Sequence, residues 1–116
     1  MDWAAAINRK REALAAVGDP RAPFDEGFPI FFNEVDLLLR LAKAGWPAVY
    51  APRARVLHHG GESTRQVRRS MIWESHRSLV RYLRKHRPGV GTAVAAPLVL
   101  AAAWVRARGH DAGFRP

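Results

Sequence analysis

Residues 31–40 read FFNEVDLLLR, two carboxylates set between an aromatic pair and a leucine run. Asn33 stands just ahead of an apolar run, and its short polar side chain can accept a hydrogen bond from an otherwise orphaned backbone N–H. Asp36 follows three residues later, close to the capping-box position, although that position favours Glu or Gln. Glu34 and Asp36 both fall in the first turn, where the positive end of the helix dipole favours carboxylates. Val35, Leu38, Leu39 and Ala42 then recur at i, i+3, i+4 and i+7, the spacing of one amphipathic face. The stretch opens a helix over residues 33–44, and Gly45 ends it.

Upstream, residues 4–17 are alanine-rich, with Ile7, Leu14 and Val17 spaced for one helical face and Gly18 as a stop. DPRAPFDEGFP (19–29) carries three prolines and is a loop. Downstream, PAVYA (47–51) and ARVLHH (54–59) are β-type runs on either side of Pro52, expected as two short strands. Gly60 and Gly61 precede a long helix over residues 64–86. On it Ile72, His76, Leu79 and Leu83 share a face, while Arg68, Arg69, Arg81, Arg84 and Lys85 crowd the remainder. Residues 90–105, VGTAVAAPLVLAAAWV, are uncharged. This run of 16 residues is shorter than the ~20 that span a bilayer. Pro97 weakens a span further, so a helix against the domain or in the membrane interface is expected.

At 116 residues the chain suffices for one small domain, expected over residues 1–88 with an apolar, membrane-associated tail over 89–116. It has no cysteine, which excludes disulfides and thiolate metal sites. The first residues lack the apolar core of a signal peptide. The expected location is cytoplasmic, at the inner face of the cell membrane where the tail makes peripheral contact. The net charge of +9 suits phosphate-rich partners. The arginine-rich helix admits a rival reading as a nucleic-acid-binding or membrane-surface module. No nucleic-acid motif accompanies it, and no specific nucleic acid is expected. Two strands cannot make an independent sheet, so the chain reads as the back half of a larger α/β domain.

Several uncommon features stand in fixed order over residues 24–66: Phe24-Asp25-Glu26, Asn33-Glu34-Val35-Asp36, Ala44-Gly45-Trp46, Pro52-Arg53-Ala54-Arg55-Val56, His58-His59 and Ser63. In this order they resemble the C-terminal part of the family 2 glycosyltransferases, notably the bacterial rhamnosyltransferase-like branch. The resemblance implies a helix-rich α/β fragment, the C-terminal half of a GT-A (Rossmann-like) domain with two short strands and a long basic helix. The sequence departs from the family in three ways. Glu34 stands where the family usually has Asp, DPRAP is inserted ahead of the Phe-Asp-Glu element, and no Asp-x-Asp occurs in the chain.

The activity implied by this resemblance is inverting transfer of a sugar from a nucleotide-sugar to an acceptor hydroxyl, on a glycan or lipid-linked acceptor of the cell envelope. Glu34 matches the position of the general base, which takes the proton of the attacking alcohol. Asp36 would cap the helix and orient the acceptor. His58, with His59 as the alternative, matches a ligand of the divalent cation (Mg²⁺ or Mn²⁺) that neutralises the leaving diphosphate. Arg65 and Arg68 follow and could hold a pyrophosphate through their guanidinium forks. Lacking the Asp-x-Asp half, the chain is expected to be inactive by itself. Phe31, Phe32 and Trp46 are expected in the core.

Overall fold

The structure, a computed structural model, describes residues 2–50, 52–53, 55–57 and 68–109. Among them are four helices: α1 (Trp3–Ala15), α2 (Asn33–Lys43), α3 (Arg68–His86) and α4 (Val90–Arg108). The chain divides into two compact units. The first comprises Met1–Pro29 and Asn33–Arg53, the second Ile30–Phe32 and Ala54–Pro116. Charge follows this division. The first unit has seven basic and seven acidic residues, the second twelve basic and three acidic, so the whole excess lies in the second.

In the first unit, α1 starts at Asp2, whose Oδ1 accepts from the backbone N–H of Ala4 (3.0 Å) and Ala5 (3.2 Å), satisfying two orphan donors. Leu14 and Val17 are half-buried, whereas Ile7 faces solvent. The loop after α1 is built from aspartate turns. Asp19 Oδ1 accepts from Arg21 N–H and Asp25 Oδ1 from Gly27 N–H, both at 2.8 Å, the side chain mimicking a backbone turn. The second turn delivers Phe28 to the interior, where it is 2% exposed. The Phe-Asp-Glu element therefore has a structural use in this chain.

The end of α2 explains Ala44-Gly45-Trp46. Trp46 N–H bonds the Leu41 carbonyl at 2.9 Å, and Gly45 N–H bonds the Ala42 carbonyl at 3.1 Å. This double closure is a Schellman motif. It places Gly45 at φ 86°, a conformation that a β-carbon disfavours.

The second unit holds α3 and α4 packed as a helical hairpin. α3 closes with Arg87 N–H on the Leu83 carbonyl (2.8 Å), Pro88 cannot continue it, and Gly89 at φ 144° turns the chain into α4. The Thr92 hydroxyl donates to the Arg87 carbonyl across that turn. The short connection makes the helices antiparallel neighbours. Ser78 and Val80 of α3 and Thr92, Ala96, Ala103 and Ala107 of α4 are buried.

The expectation of an α/β fragment with two short strands is overturned: among the described residues there is no strand. Residues 47–50 and 55–57 have no regular secondary structure, and Val49, Tyr50, Val56 and Leu57 are 86–87% exposed. The composition of these runs is β-type, but such residues favour strands by packing on a pleated, half-buried surface. Here no such surface meets them, and Pro47 and Pro52 each remove a ladder donor. The helix expected over residues 64–86 is described from Arg68 onwards.

Candidate active site

The first turn of α2 gives its two acids opposite environments. Glu34 is exposed, and Asn33 Oδ1 accepts from the Glu34 backbone N–H at 2.9 Å. Asp36 is 0% exposed, and its Oδ2 accepts from Arg40 Nε at 2.9 Å. The pair spans one helical turn, the i, i+4 spacing at which side chains meet. Arg40 goes further: Nη1 donates to the Val17 carbonyl at 3.0 Å and Nη2 to the Pro23 carbonyl at 2.7 Å. One guanidinium thus ties the Asp36 carboxylate to Val17, just ahead of the proline-rich loop, and to Pro23 within it. The inserted DPRAP segment is held by its last residue, and the loop leading to the acids is clamped.

This clamp also sets which side of α2 faces inward. Leu37, Leu39, Arg40 and Leu41 are half-buried, while Val35 and Leu38 are 38% and 45% exposed. The inward side is the one carrying Asp36 and Arg40, turned from the face the apolar spacing implied. α2 has leucine at residues 37, 38, 39 and 41, so apolar periodicity alone distinguishes its sides poorly. The buried ion pair breaks the tie. Asp36, expected to cap the helix, is paired with Arg40 here.

Phe32 immediately precedes α2 at φ 66°, a left-handed conformation that costs a bulky residue ~1–3 kcal/mol. Its ring lies against Tyr82 (centroids 5.6 Å apart), and Tyr82 lies against His86 (4.8 Å). The expected core role of Phe32 takes this form, an aromatic row along α3 that holds the strained residue. Trp46 is half-buried.

Arg68 is the first residue of α3 and is exposed. His58, His59 and Arg65 lie outside the described residues. Among the described residues no three of His, Asp and Glu converge as a metal shell requires, and Asp36 is engaged with Arg40.

Comparison with known proteins gives a partial relative of the chain. Eighty residues of the chain are 39% identical to N-acetylglucosaminyl-diphospho-decaprenol L-rhamnosyltransferase of Mycobacterium tuberculosis, the same in strains CDC 1551 and H37Rv. The chain has a rhamnosyltransferase relative. The match takes in 69% of this chain and 25% of the relative, so the chain spans about a quarter of the length of the curated proteins it matches. No family model matches the chain, and no solved structure matches it.

The residue that sequence reasoning passed over is Arg40. Its signal was present in the Asp36-x-x-x-Arg40 spacing, but the carbonyls of Val17 and Pro23 come from a loop that only the fold brings there.

Proposed function

We propose that this chain forms the acceptor-side part of a glycosyltransferase that moves a sugar, of the rhamnose class, from a nucleotide-sugar to a hydroxyl of a lipid-linked glycan acceptor. The likeness to a rhamnosyltransferase supports the class of reaction. The observation that carries the residue assignment is the division of labour on α2. Asp36 is buried on Arg40, whereas Glu34 stands exposed on a helix start whose loop is clamped.

In this reading the Glu34 carboxylate takes the proton from the acceptor hydroxyl as its oxygen attacks the anomeric carbon. The bond from that carbon to the diphosphate oxygen breaks as the new bond forms on the opposite face, which inverts the configuration. Asp36 and Arg40 act as positioning residues, holding the first turn in place. Such rigidity matters because ~1 Å of misplacement can cost ~10²-fold in rate.

The test is a chimera in which the matched segment of this chain replaces its counterpart in the mycobacterial relative. Transfer of rhamnose to N-acetylglucosaminyl-diphospho-decaprenol by the chimera, and its loss in the Glu34→Gln chimera at unchanged thermal stability, is the expected result. A folded chimera that keeps full turnover without the Glu34 carboxylate overturns the base assignment.

A further inference from the structure

The structure turns α4 inside out. Its buried positions are the small ones: Thr92, Ala96, Ala103 and Ala107. Five of its bulky apolar side chains, Val90, Val94, Leu98, Trp104 and Val105, are from 49% to 81% exposed, while Val99 and Leu100 are half-buried. A helix of a water-soluble hairpin does the reverse, burying large apolar residues and exposing small or polar ones. Small residues at the helix seam with bulky ones outside is the pattern of helices whose outer surroundings are lipid. α4 is 19 residues long with mean hydropathy 1.6, long and apolar enough to cross a membrane by length and composition, and 17% of that stretch is buried. Its seam, however, is occupied by α3, a helix studded with arginine, which suits a surface orientation over a span.

Charge identifies the occupant. Between Arg77 and Arg108 there are seven basic residues and no acidic one. Arg77, Arg81 and Arg84 of α3 line a groove of about 260 Å³ with Val80 and with Leu100 of α4. A second groove of about 450 Å³ carries Arg84 along the same flank, past Ala93, Ala96 and Pro97. Arg81 also lies 3.8 Å from Glu74, a loose pair that leaves the strip strongly positive. At the C-terminal end the Arg108 guanidinium sits 3.3 Å from the centre of the Trp104 ring. Trp is enriched at the headgroup level, and arginine beside it can reach the phosphates. A second copy of this chain would bring an equally positive strip against the first, which opposes self-association through this face. Anionic lipid meets both the apolar face and its basic border.

We infer that the outer face of α4, bordered by the Arg77–Arg81–Arg84 row of α3, is a membrane-docking surface that inserts Val94, Leu98 and Trp104 into an anionic bilayer interface. The helix lies in the interface plane, and the arginines engage lipid phosphates beside it. The docking surface stands independently of sugar transfer, since it uses neither Glu34 nor Asp36.

The experiment is flotation of the full 116-residue chain with vesicles of equimolar phosphatidylcholine and phosphatidylglycerol, against vesicles of phosphatidylcholine alone. Binding to the anionic vesicles should be at least ~10-fold tighter. Val94→Glu with Leu98→Glu, both on the outer face, should weaken it at least ~10-fold by removing the inserted groups, with the melting curve unchanged. Arg77→Gln with Arg84→Gln should cost roughly fivefold per arginine. Trp104→Phe should abolish the vesicle-induced blue shift of tryptophan emission. Absence of flotation overturns the inference, as does flotation unaffected by the paired glutamates. So does a glutamate-sensitive oligomer that ignores vesicles, which would assign the face to another protein copy.

Discussion

One residue separates Glu34 from Asp36, and the structure gives the two acids unlike energetics. Glu34 is exposed at the start of α2, where a first-turn acid is worth ~0.3–1 kcal/mol. Glu34→Gln should therefore move the melting temperature little, while in the transferring chimera it should lower turnover by ~10²–10⁴-fold if it is the base. Glu34→Asp should preserve turnover, because the carboxylate remains. Asp36 has no solvent contact and shares Arg40 with two loop carbonyls. Removing one partner of a buried pair costs ~3–5 kcal/mol, so Asp36→Ala should unfold a large part of the first unit. Chemical denaturation of Asp36→Ala, Arg40→Met and the double variant measures the coupling. Costs that simply add would mean the pair contributes nothing beyond its separate residues.

At the scale of elements, the caps and the seam are separately testable. A β-carbon at Gly45 meets no atom within 4 Å, so Gly45→Ala is opposed by the backbone alone and should cost ~1–2 kcal/mol in a denaturant titration. Ala103 is 0% exposed. Ala103→Leu should cost ~1–3 kcal/mol by overpacking, whereas Val94→Ala on the outer face should stay within ~0.5 kcal/mol. These sites also mark what the sequence could reveal. Helix existence and ends were legible where a local device writes them: Asn33 ahead of the leucine run and Gly45 after it. The strands were not, because a β-type run becomes a strand only through a partner, and Val49, Tyr50, Val56 and Leu57 meet none. The inward side of α2 was equally hidden, being fixed by carbonyls of Val17 and Pro23 that lie 23 and 17 residues from Arg40 in sequence. Of the candidate site, the acids at a helix start were readable; the Arg40 guanidinium that pairs with Asp36 and reaches the loop carbonyls was not.

For the molecule as a whole, the uneven charge makes salt a probe that the two units answer differently. The second unit carries twelve basic residues against three acidic, the first seven against seven. Like charges along α3 and the end of α4 repel when the Debye length is ~30 Å at 0.01 M and are largely screened when it is ~8 Å at 0.15 M. Screening relieves this self-repulsion of the compact state. Two attractive terms work the other way. The Glu74–Arg81 pair, at 3.8 Å and partly exposed, is worth at most ~1 kcal/mol and would be lost. The Asp36–Arg40 pair is buried and is screened much less. The balance favours salt for the second unit and leaves the first indifferent. Amide hydrogen exchange of the full chain at the two ionic strengths reads each helix separately. Raising salt should slow exchange in α3 and α4 while rates in α2 hold steady. Equal slowing in α2, or faster exchange in α3, would show that charge repulsion does not govern the basic hairpin.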